Sequence, residues 1–255
     1  MVDLHSHILP GIDDGAKTLE DAVAMCRLAA EDGTDTMVAT PHRYDGVHEN
    51  WPAETLRALL AELQAAVGPE PRLVLGSELH FTHDIAEKIC DTRDAISINE
   101  GPYVLIEFPP FVIPVGCEIA LYKITSAGFR PIVAHPERNR AVQEKPERYY
   151  NLSELGLYSQ IDSASLAGKF GKEAEATARL LLAHNMTHAI GSDTHSPRRR
   201  RPGLSRALEV AAGIVGEEAA RALVDANPRA IVAGERLPFL PDPSPPRARK
   251  RWYLF

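Results

Sequence analysis

The feature that most constrains the fold is a regular alternation of short apolar runs with longer amphipathic segments. The apolar runs cover residues 2–4, 36–39, 73–75, 103–108, 131–134, 157–161 and 188–190. Helical patterns cover residues 17–33, 52–67, 84–90, 116–127, 144–155 and 172–184, and further helices continue to about residue 233. Strands that alternate with helices pair in parallel, because each helix carries the chain back across the face of the sheet. This series of about seven units predicts an α/β fold whose parallel sheet closes into a barrel.

The C-terminal segment departs from this alternation. Residues 1–236 are predicted to form one domain, and prolines cluster from residue 237 onward. Basic residues follow between positions 247 and 251, and the sequence Trp-Tyr-Leu-Phe occupies residues 252–255. Two interpretations of this tail stay open: a flexible segment, or an arm that docks on a partner or an anionic surface.

Composition limits the classes of partner and compartment. The formal net charge is −7, which disfavours nucleic acid and anionic membranes as partners. The three cysteines, Cys26, Cys90 and Cys117, form no C-x-x-C pair and indicate buried thiols in a reducing compartment. The N-terminal residues do not have the pattern of a signal peptide, and no apolar stretch approaches the roughly 18 residues of a membrane span. We therefore expect a cytoplasmic protein without an integral membrane span.

Histidine and carboxylate side chains recur at the carboxyl ends of the predicted strands. They are His5, His7, His42, Glu78, Glu107, His135, Asp193 and His195. In a parallel barrel these strand ends converge on one face, which is where active sites are built. Residues two apart on a strand project to the same side, so His5 and His7 can reach one ion. Mixed imidazole and carboxylate ligands are typical of zinc, iron or manganese sites.

Several other polar residues allow more than one interpretation. The sequence Asp13-Asp14-Gly15 is either a simple turn or the source of a further ligand, and its place just after His7 favours Asp14 as that ligand. The histidines that we interpret as surface or helix residues are His48, His83, His184 and His188. His80 is intermediate, because it shares a strand face with Glu78, and we leave it out of the predicted ligand set.

Arginines follow two of the predicted ligands. Arg138 lies three residues after His135, and a run of four arginines at residues 198–201 follows His195. A guanidinium group can bind a phosphate through two parallel hydrogen bonds. The arginine run is either part of such a phosphate site or a solvated loop, whereas the position of Arg138 favours a role in phosphate binding.

Taken together, the motifs resemble the PHP (polymerase and histidinol phosphatase) superfamily. They are Asp-Leu-His-Ser-His at residues 3–7, Thr-Pro-His at 40–42, Gly-Ser-Glu at 76–78, His-Pro-Glu-Arg at 135–138 and Ser-Asp-Thr-His at 192–195. The longer stretch at residues 3–15, with Leu-Ile-Glu-Phe at 105–108 and Asn-Pro-Arg at 227–229, is similar to the bacterial tyrosine-protein phosphatases of capsule and exopolysaccharide clusters, the CpsB/YwqE type. The resemblance runs in order from residue 1 to about residue 232.

The resemblance implies a distorted parallel (β/α)7 TIM-like barrel, the PHP fold, over residues 1–236. It also implies up to three metal ions, with manganese expected first and iron or zinc as alternatives. The implied metal ligands are His5, His7, Glu78, Glu107, His135 and Asp193, with Asp14, His42 and His195 around the further ion. Arg138 and Arg201 match arginines that bind the substrate phosphate, the second of them preceding Pro202.

The resemblance further implies hydrolysis of phosphotyrosine, commonly on a bacterial tyrosine autokinase that controls polysaccharide export. The residues themselves agree on one point: no cysteine has an arginine six positions later, so the C-x5-R loop of thiol-dependent phosphatases is absent. We therefore predict a metal-dependent protein-tyrosine phosphatase that regulates capsule or exopolysaccharide synthesis. One alternative is another PHP phosphoesterase, such as a histidinol phosphatase. The other is a non-catalytic metal-binding protein that docks an envelope kinase.

Overall fold

The computed structural model of the chain describes residues 1–92 and 96–246. Within these ranges there are nine strands: β1 Val2–Ser6, β2 Thr36–Ala39, β3 His42–Arg43, β4 Arg72–Leu75, β5 Glu78–His80, β6 Tyr103–Glu107, β7 Arg130–Ala134, β8 Tyr158–Asp162 and β9 Ala189–Gly191. The α-helices of the same ranges are α1 Leu19–Glu31, α2 Ala53–Val67, α3 Ile85–Thr92, α4 Cys117–Ser126, α5 Arg140–Glu144, α6 Pro146–Ser153, α7 Ser163–Leu166, α8 Lys172–Ala183, α9 Ser205–Val215, α10 Glu217–Arg221 and α11 Asn227–Ala233. Shorter helical turns cover Ile98–Glu100, Pro136–Arg138 and Ala222–Ala226.

The described strands pair in parallel and form two sheets, β1-β2-β4 and β3-β5-β6-β7-β8-β9. Only two residues separate β2 from β3, and only two separate β4 from β5. Backbone hydrogen bonds continue across this break, from Gly76 N to Ala39 O and from Glu78 N to Pro41 O. All seven predicted strands are therefore present, β3 and β5 are short further strands that follow β2 and β4, and the predicted parallel α/β arrangement is confirmed.

The first and last strands meet through a short contact. Among the described residues no continuous ladder joins β9 to β1, so the sheet is not a fully hydrogen-bonded barrel. Just beyond β9, however, Ser6 bridges Thr194, and the Asp193 N–H donates to the His5 carbonyl at 2.9 Å. The His7 N–H donates to the Thr194 carbonyl at 2.9 Å. These bonds hold the carboxyl end of β1 beside the chain that follows β9.

The interior enclosed by the strands changes from apolar to polar along its length. Leu4, Leu105 and Ile132 belong to one buried cluster, together with Ile231 of α11. Burial of each such side chain contributes roughly 1.5–3 kcal/mol to the stability of the fold. Histidines and carboxylates occupy the carboxyl ends of the same strands, so the apolar interior supports the polar face from below.

One predicted helix begins later than expected. The pattern at residues 144–155 predicts a helix, and the structure has α6 at Pro146–Ser153, separated at Lys145 from the preceding short helix α5. Proline disfavours the helical conformation in the residue before it, and Lys145 accordingly has φ −143° and ψ 74° before Pro146. The predicted helix is therefore confirmed, with its start moved to Pro146 by the effect of this proline on Lys145.

The first residues of the predicted tail lie against the domain. The Asn227 side chain donates to the Phe239 carbonyl and accepts from its N–H, at 2.8 and 3.0 Å. The Ser244 N–H donates to the His184 carbonyl at 2.9 Å. The boundary between residues 236 and 237 stays a prediction, and residues 247–255 lie outside the described ranges.

His188 differs from the interpretation that the sequence favours. It is not a surface or helix residue but lies buried just before β9, where its Nδ1 accepts a hydrogen bond from the Ser159 N–H at 3.1 Å. Burial lowers the pKa of His188 from 6.5 to about 4, because the imidazolium would be poorly hydrated there. The folded protein therefore holds this side chain neutral at pH values at which the unfolded chain protonates it.

We expect this difference to make the protein acid-sensitive. Between pH 6.5 and 4 the unfolded chain binds a proton that the folded chain excludes at His188, so the free energy of unfolding falls by about 3 kcal/mol as the pH is lowered through this range. Urea unfolding of the wild type and of His188→Asn, whose side-chain oxygen can replace Nδ1 as acceptor, measures this contribution. Equal losses of stability in the two proteins over this range would contradict the prediction.

Candidate metal centre

The structure brings eight of the nine predicted metal ligands into three overlapping groups. Within each group, the ligand atoms lie within 4.8 Å of one another. The first group is His5, His7, Glu78 and Asp193; the second is His7, Asp14, His42 and His195; the third is His42, Glu78 and Glu107. The ninth, His135, lies beside them, with its Nε2 2.9 Å from Glu78 Oε1. His7, His42 and Glu78 each belong to two groups and so connect the three.

The first group is fully buried and has unusual polar geometry. The Nε2 atoms of His5 and His7 face each other at 3.2 Å. The Oε2 atom of Glu78 lies 3.2 Å from His5 Nε2 and 3.3 Å from His7 Nε2. Nevertheless, this oxygen and Asp193 Oδ1 are buried without a hydrogen bond of good geometry. Buried charged oxygens normally require hydrogen-bonding partners. These two oxygens, which lie among imidazole nitrogens, therefore fit a cation that both would coordinate.

Other side chains orient the two imidazole rings. His5 Nδ1 lies 2.8 Å from Gln160 Oε1, and His7 Nδ1 lies 2.8 Å from Asp13 Oδ2. A histidine that ligates a metal through one ring nitrogen commonly donates from the other to such an acceptor. The Nε2 atoms are thereby directed toward the centre of the group. Gln160 and Asp13 were not among the predicted site residues.

The loop that carries Asp13 and Asp14 packs closely on the first strand. A β-carbon added at Gly15 would lie 2.1 Å from the His7 carbonyl oxygen, which no other residue type could tolerate without a shift of the backbone. The Gly15 N–H donates to Asp13 Oδ1 at 2.9 Å, and the Ala16 N–H donates to the His7 carbonyl. The segment is therefore both a turn and part of the site.

The second and third groups lie nearer to solvent. Asp14 Oδ1 is 3.4 Å from His42 Nε2 and 3.2 Å from His195 Nε2, and its side chain is about half exposed. Hydrogen bonds from His195 and His42 hold the pKa of Asp14 well below its usual range. In the third group, His42 Nδ1 lies 3.1 Å from Glu78 Oε2. His80, which the prediction left out, places its Nδ1 3.3 Å from Glu107 Oε2.

Charges within the cluster strongly affect its histidines. Burial alone would lower the pKa of His7, but Asp13, Asp193 and Glu78 outweigh burial and raise that pKa well above 6.5. Burial would raise the pKa of Glu78, but the histidines around it hold that pKa well below its usual range. These carboxylates therefore keep a proton on His7, and a bound cation would displace that proton.

Two arginines lie at one side of the cluster. Arg138 Nη1 donates to Asp193 Oδ2 at 2.5 Å and to Asp162 Oδ2 at 3.0 Å. Arg200 also donates to Asp193 Oδ2. The ring of Phe170 lies beneath both guanidinium groups, with its centroid 4.6 Å from Arg138 Cζ and 5.6 Å from Arg200 Cζ.

The structure places Arg200, rather than the predicted Arg201, against the cluster. The Arg200 carbonyl accepts hydrogen bonds from the His195 N–H and from Thr194 Oγ1, at 3.0 and 2.7 Å. These bonds hold Arg200 beside His195, and the Arg200 side chain then reaches Asp193. Arg201 is exposed. Within a run of four arginines, no local pattern distinguishes the position that turns inward.

Comparison with known proteins identifies the family. A family model described as capsular polysaccharide synthesis, CpsB/CapC, matches residues 1–233. The chain is 36% identical over 258 aligned residues to the tyrosine-protein phosphatase YwqE of Bacillus subtilis, and the alignment covers 100% of both chains. It is 30% identical to the tyrosine-protein phosphatase CpsB of Streptococcus pneumoniae, with 91% of this chain and 98% of that relative covered.

Solved structures agree with the sequence comparison. One chain from the crystal structures of Bacillus subtilis YwqE and Streptococcus pneumoniae CpsB, described as metal-dependent tyrosine phosphatases, matches with a TM-score of 0.89 at 35% identity and covers 96% of this chain and 99% of that one. The lactonase Lmo2620 from Listeria monocytogenes matches with a TM-score of 0.56 at 13% identity over 92% of each chain, which shows a shared fold alone. The chain therefore belongs to the CpsB/CapC family of capsular polysaccharide synthesis.

Proposed function

We propose that this chain is a metal-dependent phosphatase that hydrolyses phosphotyrosine in a protein. The observation that carries the proposal is the buried pair of carboxylate oxygens, Glu78 Oε2 and Asp193 Oδ1, surrounded by imidazole nitrogens and adjoined by two arginines. A site of this kind combines cation binding with anion binding, as phosphoryl transfer requires. The names of the relatives YwqE and CpsB support phosphotyrosine as the substrate.

The side chains divide into groups with different roles. The three ligand groups would hold up to three ions, which when bound supply Lewis acidity toward phosphate oxygens and activate a water molecule. Arg138 and Arg200 would bind the remaining phosphate oxygens, and Asp162 and Asp193 hold these guanidinium groups in place. The tyrosine leaving group needs little protonation, because the pKa of a phenol is only about 10.

Manganese is the ion that we propose first, with iron or zinc as alternatives. Imidazole nitrogens and carboxylate oxygens suit all three, and the described ligand groups contain no thiolate that would select a softer metal. Metal analysis of the purified protein, together with activity measured for each added ion, distinguishes these alternatives.

The substrate protein that we propose is a bacterial tyrosine autokinase that controls capsule or exopolysaccharide synthesis. The match to a capsular polysaccharide synthesis family supports this assignment. No helix among the described residues is long and apolar enough to cross a membrane. A cytoplasmic location, where such a kinase tail would be phosphorylated, is part of the proposal.

The proposal is tested by pairing metal analysis with a comparison of substrates. We expect the manganese-loaded protein to hydrolyse a phosphotyrosine peptide with a higher kcat/KM than histidinol phosphate. We expect His5→Ala and Arg138→Ala to lose activity, and His5→Ala also to lose metal. Preference for histidinol phosphate would favour the metabolite phosphatase, and metal binding without turnover of any phosphomonoester would favour the non-catalytic docking protein.

A further prediction concerns Phe170, which contacts both arginines. We expect Phe170→Leu to lower kcat/KM for a phosphotyrosine peptide about tenfold, because each cation–π contact contributes roughly 0.5–2 kcal/mol and both are lost. The loss should appear mainly in KM if the ring only positions the guanidinium groups. Phe170→Tyr keeps an aromatic face and should restore the wild-type KM. An unchanged KM in Phe170→Leu would show that the ring has no such role.

A further inference from the structure

A row of exposed apolar side chains follows the candidate site on the β6–α4 loop, residues 108–116. Phe111 is 71% exposed, Val112 is 50% exposed and Val115 is 87% exposed. Between them, Ile113 is buried and belongs to the main hydrophobic cluster. The loop is thus anchored through two apolar side chains, Phe108 and Ile113, while three others face solvent. Exposed apolar side chains grouped on one loop commonly mark a site of interaction.

The loop is continuous with the candidate active site. It begins directly after the ligand Glu107, and Phe108 and Pro110 line a cavity of about 110 Å³ together with His135 and Arg138. A ligand whose phosphate met Arg138 would therefore have this loop as one wall. Its remaining atoms would extend past Pro110 toward Phe111.

The loop is also held in a defined shape by residues that follow Arg138. The buried Asn139 side chain donates to the carbonyls of Pro109 and Val112, each at 2.8 Å. The Arg140 N–H donates to the Pro110 carbonyl at 2.8 Å. The apolar row and the phosphate-binding arginine therefore share one rigid support, so the row does not need to become ordered when a ligand binds.

We propose that Phe111, Val112 and Val115 form a docking surface for the substrate polypeptide, which binds the apolar residues that flank the phosphotyrosine. This inference rests on the proposed phosphatase function. A small metabolite confined to the cavity would leave these side chains in water, whereas an extended chain that rises about 3.3 Å per residue would cover them within a few positions of the phosphotyrosine. Aromatic side chains at such surfaces commonly dominate the binding energy.

The test compares two peptides and one small substrate. The first peptide has leucines beside the phosphotyrosine, the second has aspartates there, and p-nitrophenyl phosphate has no flanking residues. We expect wild-type kcat/KM to favour the leucine peptide by about tenfold. We expect Phe111→Ser and Val115→Ser to lower, by a similar factor, the ratio of kcat/KM for the leucine peptide to that for p-nitrophenyl phosphate.

The matched control is Leu155→Ser, because Leu155 is also 71% exposed but precedes β8, at the opposite end of the sheet. Its ratio should equal that of the wild type. Equal kcat/KM for the two peptides in the wild type, or an unchanged ratio in Phe111→Ser, would overturn the docking surface. So would a change in sedimentation of Phe111→Ser from oligomer to monomer without a change in this ratio, since a second copy would then be the occupant.

Binding measured without turnover separates this inference from the phosphatase proposal. Fluorescence anisotropy with a leucine-flanked peptide that contains a non-hydrolysable phosphonate analogue of phosphotyrosine gives Kd directly. We expect Kd to rise about tenfold in Phe111→Ser and to stay at the wild-type value in Leu155→Ser. Absence of hydrolysis of every aryl phosphate would overturn the phosphatase function, whereas equal Kd values in the wild type and Phe111→Ser would overturn the docking surface alone.

Discussion

Replacement of Glu78 by glutamine is expected to lower kcat/KM for a phosphotyrosine peptide by about a thousandfold or more, which corresponds to several kcal/mol of lost transition-state stabilisation. Glu78 belongs to two of the three ligand groups, and its Oε2 lies 3.1–3.3 Å from nitrogens of three histidines. Glutamine preserves the size of the side chain but removes the negative charge. It also places an amide where a shared cation would sit.

Metal content provides the measurement that connects this loss to the proposed cause. We expect manganese-loaded and desalted Glu78→Gln to retain at least one ion fewer per chain than the wild type. The matched control is Glu62→Gln on the exposed face of α2, which makes the same chemical change away from the site. Wild-type metal content and activity in Glu78→Gln would contradict the assignment of this carboxylate as a shared ligand.

The second large effect is expected from the arginines. Arg138→Lys and Arg200→Lys should each lower kcat/KM about 10- to 100-fold, because a hydrogen bond to a charged group contributes roughly 1.5–3 kcal/mol and lysine cannot reproduce the planar guanidinium. Arg201→Lys should stay within about twofold of the wild type, as is usual for an exposed position. The three substitutions retain the net charge, so a difference among them reports geometry.

Steady-state kinetics with a phosphotyrosine peptide, together with inhibition by inorganic phosphate, measures these effects. Weaker phosphate inhibition in Arg138→Lys and Arg200→Lys would assign the loss to phosphate binding. If Arg201→Lys shows a larger loss of kcat/KM than Arg200→Lys, then Arg201 binds the phosphate, as the family resemblance implies. The inward position of Arg200 would then have another purpose. Thermal unfolding of the variants serves as the control for stability, because Asp193 is buried and pairs with both Arg138 and Arg200.

Much of the fold and many of the candidate ligands can be predicted from local patterns. In a parallel α/β fold, an apolar run identifies a strand, and the residues at its carboxyl end then lie on a known face. His5, Glu107 and Asp193 could therefore be predicted to lie near one another although no two of them are neighbours in sequence. The short strands β3 and β5 escaped prediction, because two or three residues are too few to show a strand pattern.

Other parts of the site carry no local signal. Gln160 and Phe170 each stand alone in the sequence, and their roles appear only through contacts with His5 and with the two arginines. His80 lies two residues after Glu78 on β5, and strand alternation therefore predicts that both side chains lie on the same face, near the site. Its contact with Glu107 appears only in the tertiary structure.

The sequence by itself determined the strand-helix alternation, the strand ends that carry histidines and carboxylates, and the absence of a C-x5-R loop. These depend on residue type and spacing within short segments, for which the backbone geometry is known in advance. Only the tertiary structure decided how the candidate ligands divide into three overlapping groups and which arginine of four turns inward. Those outcomes depend on the register between strands and on distances below 5 Å between distant parts of the chain, which no local pattern encodes.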